Sequence, residues 1–323
     1  MLAGNDCLAQ APTGTGKTAA FGIPVINMIE DGVQGVQAVI LCPTRELVLQ
    51  LEKELKKISA HLPQIKVLSI YGGENMMRQL AGIRKNPQIV IGTTGRVMDH
   101  LRRKTLKLST TKVIVLDEAD EMLNMGFRED IDTVLASMPA ERRTLMFSAT
   151  MPKEILQISR QYQTNPVMVK TTIKGSDLPT ISQKVVYVAE KEKYNALKEI
   201  LTTEKLTNVI VFCNTRRKVD LLNTQLNEDF FVSLALHGEL QQRQRDKVMR
   251  AFRGREANIL VATDVAARGI DVEDVQAIFN YDMPLDDEYY IHRIGRTARA
   301  TKSGVSYSFA TRADSQRVRD CER

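Results

Sequence analysis

Ala11-Pro12-Thr13-Gly14-Thr15-Gly16-Lys17-Thr18 follows a short apolar start, Leu8-Ala9, and precedes the helix-like AAFGIPVINMIE at 19–30. Strand, glycine loop and helix in that order is the context a phosphate-binding loop requires. Gly14 and Gly16 let backbone N–H groups turn toward phosphate oxygens, and the helix presents the positive end of its dipole to the same anion. Lys17 is placed to reach β- and γ-phosphates and the Thr18 hydroxyl to sit on Mg²⁺, with Thr13 and Thr15 completing the loop. Ala11 stands where the general pattern has its first glycine, so the match is one residue short, and a plain glycine turn is the alternative.

Short apolar runs recur downstream at 38–42, 67–71, 89–92, 113–116 and 145–147, each long enough for a buried strand and too short for a helix. Helical periodicity fills the gaps, as at 45–60 and 75–85, and the alternation predicts an α/β fold with a parallel sheet. After a further apolar run at 167–170, Gly175, Ser176 and Pro179 interrupt any periodic pattern, which predicts a linker over 171–182 between domains at 1–170 and 183–323. Beyond it the alternation restarts, with strands expected at 185–188, 209–213, 259–263, 277–281 and 305–309. A chain of 323 residues fits two domains of roughly 150 residues each.

Composition narrows the class. The chain is 43% apolar, with no run near the ~18 apolar residues of a membrane-crossing helix. A signal peptide is not expected from MLAGNDCLAQ at 1–10, which holds an acid and no basic start. Lys and Arg number 45 against 39 acids, a net +6 that leans toward polyanionic partners without selecting one. Cys7, Cys42, Cys213 and Cys321 are far apart, which predicts neither a zinc site nor disulfides and fits a reducing cytoplasm.

Val113-Ile114-Val115-Leu116 runs into Asp117-Glu118-Ala119-Asp120. Carboxylates at the C-terminal end of a parallel strand lie where such sheets bind ligands. Beside a nucleotide, Asp117 suits Mg²⁺ and Glu118 suits the attacking water. The competing reading is an N-cap, with Asp117 or Asp120 starting a helix that carries Met122, Leu123 and Met125 into the core.

Together these pieces resemble the DEAD-box RNA helicases, of the bacterial kind, over nearly the whole chain and in the family's order. The P-loop form AxTGxGKT corresponds to 11–18, PTREL to Pro43-Thr44-Arg45-Glu46-Leu47, the glycine pair to Gly72-Gly73, and SAT to Ser148-Ala149-Thr150. In the second half Val211-Phe212-Cys213-Asn214-Thr215, the pair Gln242 and Arg245, the TDVAARGID stretch at 263–271 and the HRIGRTAR stretch at 292–299 continue the series.

The resemblance implies two RecA-like domains, each a mainly parallel sheet flanked by helices, joined by a short linker. It implies RNA-dependent ATP hydrolysis that locally unwinds short RNA duplexes or remodels RNA–protein complexes, with ATP and Mg²⁺ bound, by a monomer whose domains close on the nucleotide. By the same resemblance Arg296 and Arg299 act as arginine fingers, Gly269 and Asp271 contact the nucleotide, and His292, Ser148, Thr150 and Gln242 couple the sites. Basic pairing of Arg296 and Arg299 with Asp286, Asp287 and Glu288 is the bland alternative. RNA contacts fall to Arg45, Gly73, Gly95, Arg96, Thr215, Arg245 and Thr263, on the sugar-phosphate backbone and indifferent to base sequence. With 5% aromatic residues and no Trp, no stacking platform is indicated. His61 and His100 are expected at the surface.

The sequence departs from the family in three places. Its TPGR is Thr93-Thr94-Gly95-Arg96, lacking the proline, which is expected to loosen the RNA grip. Ala298 replaces a glycine between Arg296 and Arg299 and is expected to be tolerated. The family's upstream aromatic and adenine-reading Gln have no counterpart in the ten residues before Ala11, so weak triphosphate binding with little preference for ATP over GTP is expected, as is extra exposed apolar surface. Two other classes stay open at this stage: an ATP-gated RNA clamp that turns over slowly, and a DNA translocase of the same superfamily.

Overall fold

A computed structural model of the chain describes residues 1–11, 15–171, 181–267, 272, 275–285, 287–297 and 304–321, leaving aside the side chains of Val265, Asp287, Glu288 and His292. It divides into two compact units, Met1–Ile173 and Lys174–Arg323. The first unit alternates β1 (Cys7–Gln10), α1 (Lys17–Asn27), β2 (Ala38–Cys42), α2 (Arg45–Ile58), β3 (Val67–Ile70), α3 (Met76–Ile83), β4 (Ile89–Thr93) and α4 (Thr94–Arg102). It continues through β5 (Val113–Leu116), α5 (Ala119–Asn124), α6 (Arg128–Ala136), β6 (Arg143–Ser148), α7 (Lys153–Tyr162) and β7 (Val167–Lys170). The seven strands form one parallel sheet in the order β3-β4-β2-β5-β6-β1-β7.

Period-two alternation splits each buried strand between two cores. Val39 and Leu41 of β2, with Ile114 and Leu116 of β5, face one helix layer; Ala38, Ile40 and Cys42, with Val113 and Val115, face the other. Both faces being covered explains why these runs read as continuously apolar. At the edge, β7 leaves Val167, Met168 and Val169 exposed.

In the second unit β8 (Ile181–Tyr187), α8 (Lys193–Thr203), β9 (Val209–Phe212), α9 (Arg216–Glu228), β10 (Ser233–Leu236), α10 (Gln242–Arg253) and β11 (Ile259–Ala262) are followed by α11 (Asp264–Ala267), β12 (Ala277–Asn280), α12 (Asp287–Ile294), β13 (Gly304–Ala310) and α13 (Ser315–Cys321). Its parallel sheet runs β10-β11-β9-β12-β13-β8 and is again buried between two clusters. Both units thus have the doubly wound, RecA-like architecture expected.

Two elements depart most from the sequence reading. Strand β8 begins at Ile181, because seven residues pair with β13 even though Ser182, Gln183 and Lys184 are polar and exposed, and it takes the last two residues of the expected linker. Strand β10 was absent from the expectation: it is a four-residue edge strand whose apolar run is broken by Ser233, and its pairing with β11 holds it. Among the described residues no helix is long and apolar enough to cross a membrane.

Candidate active site and nucleic-acid interface

The parallel sheet delivers its candidate residues to the C-terminal ends of the strands. After β1 the chain reaches Gly16, which caps α1 at φ 84°, a left-handed conformation that glycine adopts without a Cβ penalty. No acid occupies the first turn of α1, so its positive end is left for another anion. Lys17, the first helical residue, buries its Nζ without a hydrogen-bond partner among the described residues. A buried ammonium with no acceptor is costly, and an anion in the loop would satisfy it. Thr18 follows it on the same turn.

From the next-but-one strand of the sheet, β5 carries Asp117 to 3% exposure, its amide donating to the Leu41 carbonyl at 3.0 Å. Burial raises the Asp117 carboxyl from its ordinary 3.8 to about 6, against the opposing pull of the Lys17 charge, with Glu118 adding to the rise. Glu118 sits at φ 53° and caps α5 by its backbone alone, its amide donating to Asp117 Oδ1 at 3.1 Å. A non-glycine residue held left-handed stores strain of order 1 kcal/mol, which recurs at functional sites.

Neither Asp117 nor Asp120 is the helix cap, contrary to the capping alternative. Asp120 instead reaches β6's exit: its Oδ2 accepts from the Ala149 and Thr150 amides at 3.0 and 2.8 Å and from the Thr150 hydroxyl at 2.9 Å. Ser148 Oγ donates to the Thr150 carbonyl at 2.6 Å. The carboxylates, the lysine and the Ser148–Thr150 turn therefore form one cluster. Among the described residues no three His, Cys, Asp or Glu side chains form a metal cage. Asp117 and Thr18 would leave a divalent cation to complete its shell from phosphate and water, the habit of Mg²⁺.

The other half of the same sheet edge gathers glycines and arginines. Thr44 caps α2, its hydroxyl accepting from the Leu47 amide, and Arg45 begins the helix. Gly73, after β3, has φ 85°, and a Cβ there would meet Arg45 Nη1 at 2.5 Å, so this glycine is required twice over. After β4, Arg96 on α4 donates to the Glu74 carbonyl and to Gln79 Oε1, both at 3.3 Å. Gly95, one residue before it, is exposed with open space where a Cβ would stand.

One expectation changes here. His100 is fully buried, bonded to Thr105 Oγ1 at 2.9 Å and Gln79 Oε1 at 3.1 Å, because α4 turns it inward between β4 and α3; His61 is exposed. Thr94, in the place of the family's proline, is fully buried as the first residue of α4, and its hydroxyl donates to Met122 Sδ at 3.4 Å. The first helical position needs no N–H partner, so Thr and Pro both suit it.

In the second unit Thr215 caps α9, its Oγ1 accepting from the Lys218 amide at 3.3 Å. Thr263 follows β11, its amide donating to the Leu236 carbonyl. Gln242 opens α10 and donates to Asp246 at 2.8 Å. Arg245 is buried, donating to the Ala266 carbonyl at 3.2 Å and the His237 carbonyl at 3.5 Å. Arg296 is half-buried just past α12, on which His292 also lies. Thr13, Gly14, Gly269, Asp271, Asp286, Ala298 and Arg299 lie outside the described residues, as do the side chains of Asp287, Glu288 and His292.

The DEAD/DEAH box helicase family model matches residues 1–158, and the model of the helicase conserved C-terminal domain matches 192–301. A Geobacillus kaustophilus protein named DEAD-box ATP-dependent RNA helicase CshA is 45% identical over 322 residues, covering 100% of this chain and 69% of its own length. This chain belongs to the DEAD-box helicase family. The Listeria monocytogenes ATP-dependent RNA helicase CshA is 48% identical over 308 residues, 95% of this chain, and the match covers only 59% of that relative. Among solved structures, S. cerevisiae Dbp5 bound to RNA and ADP BeF3 is similar with a TM-score of 0.86 at 29% identity, over 98% of this chain and 82% of that one.

One residue of this DEAD-box chain escaped the sequence reading. Arg293, between His292 and Arg296, is 1% exposed and grips both oxygens of Asp264 at 2.5 and 2.7 Å. It also donates to Asn214 Oδ1 at 2.8 Å and the Asp282 carbonyl at 2.7 Å, and lies over the Phe212 ring. The exits of β9, β11 and β12 thus meet on one guanidinium, whose planar fork suits such a joint. Its position inside the HRIGRTAR stretch was the available signal.

Proposed function

We propose that this chain is an RNA-stimulated ATPase that uses ATP to separate short RNA duplexes locally or to remodel RNA–protein complexes, acting as a cytoplasmic monomer. The observation that carries the ATP-hydrolysing part is the buried Lys17 ammonium beside Asp117, unpartnered among the described residues, behind a helix N-terminus with no acid of its own. The backbone of 13–16 cradles the phosphates, Lys17 neutralises the β- and γ-oxygens, and Thr18 and Asp117 hold Mg²⁺. When bound, Mg²⁺ neutralises the charge that develops on the phosphate oxygens. Glu118 accepts the proton of the attacking water. Arg296 and Arg299 stabilise the transferring phosphoryl group, with Gly269 and Asp271 completing the nucleotide contacts and His292 linking them to the Ser148–Thr150 turn. Asp120, through Thr150, ties the catalytic strand to the Ser148–Thr150 turn, which together with Gln242 couples hydrolysis to RNA.

RNA lies on Arg45, Gly73, Gly95 and Arg96 in the first unit and on Thr215, Arg245 and Thr263 in the second. Support for the first group is that the loops after β2, β3 and β4 converge at the ligand-binding end of the sheet. Arg245 contributes through the carbonyls it orients. Backbone contacts make this binding insensitive to sequence and sensitive to salt, and a 2′-hydroxyl distinguishes RNA from DNA.

Single-turnover separation of a short RNA duplex, with ATP and with a non-hydrolysable analogue, tests the proposal. ATP hydrolysis stimulated by RNA more than by DNA, with strand separation, is expected. Nucleotide-dependent RNA binding without separation would make it a clamp instead, and equal stimulation by DNA would overturn the RNA assignment.

A further inference from the structure

Beneath the arginine and glycine half of the first sheet lies a buried polar cluster that neither catalysis nor the proposed RNA contacts use. Gln79 on α3 is 3% exposed and His100 on α4 is fully buried, although both side chains are polar. Gln79 Nε2 donates to the Tyr71 carbonyl at 2.9 Å, at the threshold of Gly72-Gly73. Its Oε1 receives Arg96 Nη1 at 3.3 Å and stands 3.1 Å from His100 Nε2.

A guanidinium only donates, so the oxygen of the Gln79 amide must face Arg96 and its nitrogen must face Tyr71. With both lone pairs of that oxygen engaged, His100 must carry its proton on Nε2. Burial, then the neighbouring Arg96 charge, hold the imidazole below its usual range, which keeps a single ring proton. Nδ1 then shares the proton of the Thr105 hydroxyl, 2.9 Å away, with the His100 carbonyl at 3.1 Å. Every polar atom of the pair is thereby directed, and a fully satisfied buried network fixes one geometry.

We infer that Gln79 and His100 are positioning residues that lock Arg96 and the Gly72-Gly73 turn into one preformed grip for the phosphates of an RNA strand. The inference rests on the RNA-binding reading above. Without the Gln79 oxygen, Arg96 keeps only its bond to the Glu74 carbonyl, and its guanidinium is less firmly held. The arginine would then have to be ordered during binding, a cost carried by affinity rather than by catalysis.

The test is a comparison of Gln79→Leu with Gln79→Glu in RNA-stimulated ATP hydrolysis, using single-stranded RNA of mixed sequence. Glu keeps the oxygens that Arg96 and His100 need but buries a charge, whereas Leu fills the space and removes the acceptor. If Gln79 merely packs the core, Leu is the milder change. If it positions Arg96, Leu raises the RNA concentration for half-maximal stimulation by roughly tenfold, the scale of one missing hydrogen bond to a charged group, while Glu, which keeps the acceptor for Arg96 but loses the donor to the Tyr71 carbonyl, raises it less. The saturating rate and the KM for ATP remain within about twofold for both. The slope of log affinity against log salt stays near the wild-type value in Gln79→Leu, because Arg96 still neutralises its phosphate once ordered.

Should Gln79→Leu fail to fold, His100→Phe is read in its place, with the same direction expected and unchanged RNA affinity overturning the inference. A wild-type chain that RNA does not stimulate sinks the functional reading itself. A stimulated wild type beside a folded, unaffected Gln79→Leu sinks only the positioning role.

Discussion

The two halves of the first sheet's C-terminal edge are built on opposite electrostatic plans. Where β1, β5 and β6 end, charge is buried and left short of partners: the Lys17 amine has none among the described residues, and the Asp117 carboxyl is pushed up to about 6. Where β2, β3 and β4 end, Arg96 is bonded to a backbone carbonyl and a buried amide, and Arg45 fills the space that Gly73 leaves beside it. The first half is destabilised until a ligand arrives, so binding there relieves strain and burial together. The second is at rest before binding, so its affinity comes from geometry held in advance. One α/β sheet thus carries a site that responds strongly to its ligand next to one that only receives it.

The sharpest way to break this contrast is Lys17→Ala. Removing the one cation placed for the β- and γ-phosphates is expected to cut ATP hydrolysis by at least ~10²-fold, the scale of removing a preorganised charge. RNA binding without nucleotide should barely move, because the second half is untouched. Hydrolysis and nucleotide affinity measured on the folded variant check it, and a normal rate would end the phosphate-loop assignment.

Next in size is Asp117→Asn, read through stability against pH. The folded value lies above the unfolded 3.8, so between about pH 4 and 6 the native state keeps a proton that the unfolded chain has released. Stability from this group therefore falls as pH rises through that window and stays lower above it. Asp117→Asn is expected to stabilise the nucleotide-free chain at pH 7 by an amount on the order of 2–3 kcal/mol, shrinking toward zero near pH 4. Thermal unfolding from pH 4 to 8 decides; a gain independent of pH would mean that Asp117 is not strained by burial.

A smaller effect is expected on the other half. Gly73→Ala meets both the left-handed φ and the Arg45 guanidinium, so Arg45 must move. RNA affinity should drop several-fold, in line with ~1 kcal/mol of backbone strain and a displaced guanidinium, with the KM for ATP unchanged. Titration of labelled RNA with and without nucleotide measures both. The smallest effect is Thr94→Pro, which restores the family's spelling and removes a weak hydroxyl-to-sulfur bond to Met122. Because Pro fits the first helical turn, RNA affinity is expected within about twofold of wild type. A large gain would mean that Thr94 does loosen the grip.

Legibility in the sequence followed the range of the interaction. Strands β2, β5 and β7 begin and end where their apolar runs do, since burial on both faces writes itself into every residue. The polar edge strand β8 and the short β10 are held by pairing with β13 and β11, and their own residues carry little of that signal. The placement of Lys17, Asp117 and Glu118 was readable because the loop or strand end that positions each is its sequence neighbour. His100 was misread because nothing within four residues says that α4 rolls it onto Gln79, 21 residues earlier.

What the sequence by itself determined is local: the alternation of strand and helix, the glycine turn ahead of Lys17, and carboxylates at the end of a buried run. These follow from side-chain period, backbone freedom at glycine and the charge of adjacent residues. Only the tertiary structure decided that Asp120 serves the turn at Thr150 as well as its own helix, and that Arg293 joins three strand exits. It also decided that Gln79 and His100 stand under Arg96. In each case a charged or polar group had to find its partner once burial had removed water, and the strand order of the sheet, not distance along the chain, set which partners were within reach.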